Sequence, residues 1–218
     1  MAIAFGGTVA GVTAATISSV SISGSNTLGL LATVGDNASD SITSVTWDGS
    51  AMTKIASVQN ASERFIQLWR IVAPSAGVTD IVMTGGTFKR GMSGFYTGVD
   101  QTTPIDSFNT GNQASAAAIS IATTVVASNC WGVMVQKDDN GGLTYTSSNI
   151  LSSTRQDTDA GGLAWADSNG TISTGSQTGT LTGTGTPNHG GIMLSITPAV
   201  AATSIKDLIG GGVIPFPR

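Results

Sequence analysis

The sequence has 218 residues, only 10% of which are charged, and a formal net charge of −4. The chain is long enough to bury a core without disulfides or metal ions. Its nine Lys and Arg residues are scattered, whereas nucleic-acid binding needs clustered cations, and no apolar run approaches the ~18 residues of a membrane span. We therefore expect neither a nucleic-acid partner nor a membrane partner.

Hydroxyl-bearing and small residues dominate the composition, with 30 Thr, 29 Gly and 26 Ser. Thr suits a pleated, half-exposed strand, and Gly and Ser suit turns. This composition predicts a hydroxyl surface that carries little charge. Because such a surface offers little electrostatic repulsion, it favours chains that pack against copies of themselves.

Short strand-like segments follow one another through the first half of the chain. The segments cover residues 16–23, 26–34, 42–47, 51–58, 64–72, 78–84 and 88–99. Between the third and fourth of them lies Asp48-Gly49, a pair whose residues tolerate positive φ and which therefore predicts a tight hairpin.

The second half continues the pattern with segments at residues 118–126, 130–136, 143–150, 162–167, 179–184 and 192–197. Residues 175–191 are rich in glycine and are predicted to form a loop with a weak strand. The best helix candidate is short, at residues 203–209. About a dozen short strands with frequent turn signals indicate a sandwich or barrel.

The predicted fold is therefore all-β: an antiparallel two-sheet sandwich, jelly-roll-like, over residues 1–198. A short extended or partly helical tail follows at residues 199–218. Apolar residues of this tail would face water in a free monomer, so we predict that they form an interface with a neighbour. These residues are Ile205, Leu208, Ile209, Val213, Ile214, Pro215 and Phe216. The alternative is that the tail folds back onto its own sandwich.

Few residues could carry chemistry. His189 is the only histidine, and we expect a turn position with a solvated ring rather than a catalytic role. Cys130, the only cysteine, is expected to be a small buried core residue. With Glu63 the only glutamate, a paired-carboxylate glycosidase site is disfavoured. We predict no catalytic residues, no cofactor and no enzyme activity.

Two acidic, glycine-containing loops could supply oxygen ligands to calcium, at residues 138–142 and 157–161. Neither has the spacing of an EF-hand, and hairpin loops are the expected structure. For the tryptophans, Trp69 and Trp131 are expected in the core. Trp47 and Trp165 are also expected there, although exposure of either would provide a stacking platform for a sugar.

Three stretches resemble a recurrent β-sandwich domain of phage virion structural proteins and bacterial surface proteins. They are SVTWDGSAMTKI at 44–55, LWRIVAPSAGVTDIVMT at 68–84 and FYTGVDQTTPID at 95–106. With the strands between them they cover roughly residues 20–136. The resemblance implies a fold and no particular reaction.

These observations lead to two functional hypotheses. The first is a virion structural protein, a capsid decoration or tail-associated sandwich that is assembled in the host cytoplasm and packs against copies of itself and other virion proteins. The absence of a secretory leader in the sequence favours it, and a trimer is the expected oligomer. The alternative is an extracellular adhesion or carbohydrate-binding module with a glycan partner.

Overall fold

The computed structural model describes residues 1–37, 39–61, 64–139, 143–156 and 162–200. Every regular element among these residues is a β-strand, and all strand pairs are antiparallel. The all-β prediction is confirmed. The described part of the chain contains no helix long and apolar enough to cross a membrane.

The first nine strands form two sheets, which together we call the N-terminal sandwich. Its inner sheet has the order β1-β9-β3-β7-β6, and its outer sheet has the order β2-β8-β4-β5. The strands are β1 (Ala4–Val12), β2 (Thr16–Ile22), β3 (Leu28–Asn37), β4 (Ser44–Trp47), β5 (Ser50–Ala51), β6 (Thr53–Gln59), β7 (Arg64–Val72), β8 (Gly77–Thr84) and β9 (Arg90–Thr97).

The last eight strands form the C-terminal sandwich. Its inner sheet has the order β10-β17-β12-β15-β14, and its outer sheet has the order β11-β16-β13. The strands are β10 (Ile105–Gln113), β11 (Ala118–Val125), β12 (Trp131–Asp138), β13 (Tyr145–Asn149), β14 (Ser153–Gln156), β15 (Leu163–Asp167), β16 (Gly175–Gly183) and β17 (His189–Ile196).

The connectivity is that of a jelly roll, repeated twice. In the N-terminal sandwich β1 pairs with β9, β2 with β8, β3 with β7 and β4 with β5, as in one long hairpin wrapped over two sheets. In the C-terminal sandwich β10 pairs with β17, β11 with β16 and β12 with β15. The predicted jelly-roll-like fold is present in each half of the chain.

The two inner sheets face each other across a shared apolar layer, which we call the inner layer. Side chains from both sandwiches meet there, including Leu30, Leu68, Val133 and Trp165. The other face of each inner sheet packs on its own outer sheet, through separate apolar clusters. The molecule is therefore a stack of four sheets, outer–inner–inner–outer.

This stack differs from the single two-sheet sandwich that we expected over residues 1–198. The reason is visible in strands that are buried along their whole length, such as β12 and β17, where every residue is buried. A strand with both faces covered has no solvent side and shows a continuous rather than alternating apolar pattern. The predicted boundary between a domain and a tail at residue 199 stays a prediction.

Candidate functional site

The predicted interface residues of the tail, Ile205 to Phe216, lie outside the described residues. The structure does show where the chain leaves the fold. The amide of Ala199 donates to Gly98 O at 2.8 Å, and the N-terminal ammonium of Met1 donates to Ala199 O at 2.7 Å. The next residue, Val200, is 84% exposed. The chain thus leaves the surface beside the β9–β10 connection.

The edges of the two inner sheets meet along two rims, one where β14 lies beside β1 and one where β6 lies beside β10. At the first rim a charged network closes the contact. Arg155 donates two hydrogen bonds to the fully buried carboxylate of Asp167, at 2.8 and 2.9 Å, and its guanidinium stacks over Phe5 at 4.2 Å. Tyr96 donates to the same carboxylate at 3.0 Å and accepts from the Trp165 indole at 3.0 Å.

The repeated connectivity makes the two rims equivalent. The pairing of β6 with β7 is irregular between Lys54 and Ala56, at Ile55. The pairing of β14 with β15 is irregular between Thr154 and Gln156, at Arg155. Ile55 and Arg155 therefore occupy equivalent positions. The same correspondence places Arg70, the partner of Thr53, at the position of Asp167, the partner of Ser153. A second pair of irregularities, after Phe5 in β1 and after Ile105 in β10, agrees with it.

At the second rim the equivalent residues leave a groove of about 540 Å³. We call it the rim groove. Its lining comes from β6, β7, β10 and the connection that precedes β10: Thr53, Lys54, Ile55, Arg70, Thr102, Thr103, Pro104, Ile105, Asp106, Ser107 and Phe108. The groove therefore combines four apolar side chains with two cations, one acid and four hydroxyls. Phe108 is 50% exposed at its edge.

Arg70 is the charge in this groove that the described residues leave uncompensated. They offer its half-buried guanidinium neither a hydrogen bond nor an ion pair. Lys54, by contrast, binds both carboxylate oxygens of Asp40, at 3.1 and 3.0 Å, and lies 4.9 Å from the Trp69 ring. An anion entering the groove would therefore meet a free guanidinium.

The carboxylate of Asp106 also lines the groove, but its oxygens are already engaged. They accept hydrogen bonds from the amides of Val126 and Ala127, at 2.9 and 3.0 Å, and from the Ser195 hydroxyl at 3.0 Å. These bonds tie the carboxylate to β11 and β17, and among the described residues it makes no direct ion pair with Arg70.

The outward face of the C-terminal outer sheet, which we call the hydroxyl face, is a second candidate surface. None of its strands, β11, β16 and β13, contains a charged residue. Its side chains bond to one another, as in the 2.8 Å contact between the Ser120 and Thr180 hydroxyls. Exposed members are Ser120, Ala122, Thr124, Thr146, Ser148, Ser176 and Thr182.

The prediction that His189 lies in a turn with a solvated ring was wrong. This residue begins β17 and is fully buried, with Nδ1 3.0 Å from Gln136 Oε1 and Nε2 2.9 Å from Ala116 O. Because a backbone carbonyl can only accept, Nε2 donates the hydrogen bond to Ala116 O. The sequence suggested a turn here because glycines follow His189. These glycines instead belong to β17 and pair with β10 and β12.

The first of the two predicted calcium loops is described only at its start. Asp138 is fully buried and accepts a 2.6 Å hydrogen bond from Tyr145, while Asp139 accepts from the amide and side chain of Asn188. Burial, together with the nearby Asp138 charge, raises the pKa of Tyr145 well above its usual range. The remainder of this loop and the whole loop 157–161 lie outside the described residues.

Within the described ranges no group of three His, Cys, Asp or Glu side chains could hold a metal ion. The expected core positions of all four tryptophans are confirmed, with Trp47 at 1% and Trp165 at 0% exposure, so neither offers a stacking platform for a sugar. Cys130 is buried as expected, and burial raises the pKa of its thiol to about 11, which makes the thiolate scarce at neutral pH.

Comparison with known proteins gives no match: no protein family, no curated protein and no solved structure is significantly similar to this chain. The geometry of the rim groove and the hydroxyl face therefore carries the functional argument. Sequence analysis predicted a weakly charged hydroxyl surface without locating it, and it missed the rim groove, because Arg70 stands in an ordinary strand pattern and β10 shows no alternation.

Proposed function

We propose that this chain is a structural subunit that acts by packing against copies of itself and other proteins of a particle, as a capsid decoration or tail-associated component of a virion. In this proposal its function depends on surface area and shape rather than on a reaction. The tail residues Ile205 to Phe216 provide one contact, and the hydroxyl face provides another.

The hydroxyl face is the observation that supports the proposal most directly. Burying charged groups in an interface is costly unless they are paired, and this face carries none in its strands. Its hydroxyls already satisfy one another in part, so covering them loses few hydrogen bonds to water. The composition of the face fits a protein–protein contact whose core is depleted of charge.

The opposite side of the stack supports the same conclusion. On the outward face of the N-terminal outer sheet Val78 is 70% exposed and Val82 is 40% exposed, both on β8. Because the outer sheets lie at the two ends of the stack, one copy can contact neighbours on both sides. The resemblance of residues 20–136 to virion sandwiches supports the proposal that such contacts form in a particle.

The test compares the solution mass of four proteins by light scattering over a range of concentrations: the unmodified chain, Ala122→Arg, Ala61→Arg and a chain that ends at Val200. Ala122 is exposed on the hydroxyl face, in the middle of its edge strand β11, and Ala61 is an exposed alanine elsewhere. Ending at Val200 keeps the hydrogen bonds of Ala199 to Gly98 and Met1.

We expect the unmodified chain and Ala61→Arg to form the same oligomer, Ala122→Arg to dissociate, and the shortened chain to remain folded but fail to assemble. A monomer at all concentrations for the unmodified chain, or an oligomer unchanged by both alterations, contradicts the proposal. Glycan binding by the monomer would instead favour the adhesion alternative.

A further inference from the structure

The rim groove has the features of a receptor for a short apolar segment that carries one carboxylate. We propose that its occupant is the segment 205–209 of a neighbouring copy, with Asp207 pairing with Arg70. This inference rests on the proposed assembly through the tail, and it names the surface that the tail binds.

The first argument is the comparison of the two rims. At the β1–β14 rim a guanidinium and a carboxylate from the same copy close the contact, since Arg155 binds Asp167 and covers Phe5. At the β6–β10 rim the equivalent positions hold Ile55 and Arg70. The acid that lines this groove, Asp106, makes no ion pair with Arg70 among the described residues and bonds to Val126, Ala127 and Ser195 instead. A carboxylate from outside would complete the second rim as Asp167 completes the first.

The second argument is chemical complementarity. Segment 205–209 reads Ile-Lys-Asp-Leu-Ile and sets a single acid among three large apolar side chains. The groove sets Arg70 among Ile55, Ile105 and Phe108. Burial of two or three such apolar side chains adds to the attraction of the charges.

The third argument concerns the path of the chain. Thr102, Thr103 and Pro104 form one end of the groove, and the Thr197 amide donates to Pro104 O at 3.0 Å, so the tail begins next to a groove. At ~3.3 Å per residue, the residues between Val200 and the segment reach ~17 Å. Val200, the last described residue, is 84% exposed, so its side chain does not fasten this end of the chain to its own surface, and a neighbour's groove is open to the segment.

The first experiment is a charge exchange in the full chain. Arg70→Glu should raise the dissociation constant of the oligomer roughly tenfold, because like charges replace an ion pair. Asp207→Arg should do the same, and the double variant should recover most of the affinity. Lys89→Glu, a reversal on the 85–90 turn, is the control and should leave assembly unchanged.

The second experiment locates the contact with a short bismaleimide cross-linker. One copy carries Phe108→Cys and a second, tagged copy carries Leu208→Cys; the native thiol of Cys130 is buried and does not compete. A covalent dimer that contains both copies supports the inference. A link formed only within a single chain that carries both cysteines shows docking on its own groove and overturns it.

The outcomes separate this inference from the proposed function. If removal of residues 201–218 abolishes assembly while Arg70→Glu has no effect, the tail acts elsewhere and the groove inference is wrong. If removal of the tail changes nothing, the tail contact of the proposed function and the inference fail together. If the charge exchange and the cross-link both succeed, the groove is the receptor.

Discussion

Among the described residues, the buried carboxylates of Asp138 and Asp167 accept hydrogen bonds from side chains. The buried amine of Lys137 instead shows a lowered pKa. Its side chain is 3% exposed in β12, at the end of the inner layer. The pKa of this amine is lowered to about 8, mainly by burial. The positive charges of Arg64 and Arg90 contribute to the shift, and the negative charges of Asp138 and Asp139 oppose it. The ammonium is therefore less favourable in the folded state than in the unfolded chain.

The stability of the protein should consequently depend on pH in the alkaline range. Because the lysine pKa is about 8 in the folded state and 10.5 in the unfolded chain, the unfolded state binds more protons between these values. The free energy of unfolding should then rise as the pH increases from 8 towards 10. Lys137→Met should remove this rise and stabilise the protein by about 1–3 kcal/mol at pH 7.

Urea unfolding at a series of pH values measures both effects. Lys54→Met is the control, because Lys54 is a partly exposed lysine paired with Asp40. An unchanged pH dependence in Lys137→Met would show that the amine keeps its ordinary pKa in the fold.

At the scale of elements, the close approach of the inner sheets depends on a glycine. A Cβ atom added at Gly94 in β9 would lie 2.9 Å from Cζ2 of Trp165 in β15, across the inner layer. This contact is shorter than packed carbon atoms accept. Since the indole is also held by its hydrogen bond to Tyr96, the ring has little freedom to move aside.

Gly94→Ala should therefore destabilise the protein by about 1–3 kcal/mol through overpacking. Gly170→Ala is the matched control, because the nearest atom to its added Cβ would be 3.8 Å away; its effect should stay within about 0.5 kcal/mol. Thermal unfolding followed by tryptophan fluorescence compares the two. Equal melting temperatures for the two variants would contradict the prediction, because they would show that the inner layer accommodates the added methyl group at residue 94 without loss of stability.

The sequence predicted elements well where the local chemistry decides them. Asp48 and Gly49 have positive φ values of 50° and 73°, between Trp47 and Ser50, as their turn signal required. Strand β10 was missed because its residues follow no apolar alternation, with Phe108 exposed; backbone pairing with β17 holds it in the sheet. The weak strand expected within residues 175–191 is β16, which is longer than the predicted segment 179–184 and whose glycines pack under Leu151 and Tyr145.

The candidate site was less predictable than the fold. Arg70 lines a groove only because the irregularity in β6 lies beside the first residues of β10, which belong to the other sandwich. No local sequence pattern predicts that these two strands are neighbours. His189 was misassigned for a related reason, since the glycines beside it suggest a turn although they pack under Ile121 and Asn60. The sequence did predict the tail as the carrier of an interface, and that remains a prediction.

At the scale of the whole molecule, the two sandwiches share one core layer and should unfold together. The inner layer takes Leu68 from the first half and Val133 from the second, both fully buried. Loss of either half would expose the apolar face of the other to water. The structure therefore predicts a single unfolding transition rather than one for each sandwich.

Calorimetry tests this expectation with two variants. Leu68→Ala and Val133→Ala should each lower the melting temperature of the same transition. The expected loss in the free energy of unfolding is about 2–5 kcal/mol for Leu68→Ala and less for Val133→Ala. The van 't Hoff and calorimetric enthalpies should agree. Two transitions, each shifted by only one of the variants, would contradict a shared core.

The position of β17 has a consequence for the way the protein is made. This strand is the last in the described chain, yet it lies between β10 and β12 inside its sheet. A ribosome must therefore synthesise the chain at least to Ile196 before the second inner sheet can close. During that time the apolar face of the first jelly roll, which includes Leu30, is exposed to water. This face can then associate with other nascent chains. Slow synthesis or crowded polysomes should thus favour mispaired products, and the yield of native protein should improve with chaperones that shield apolar surface.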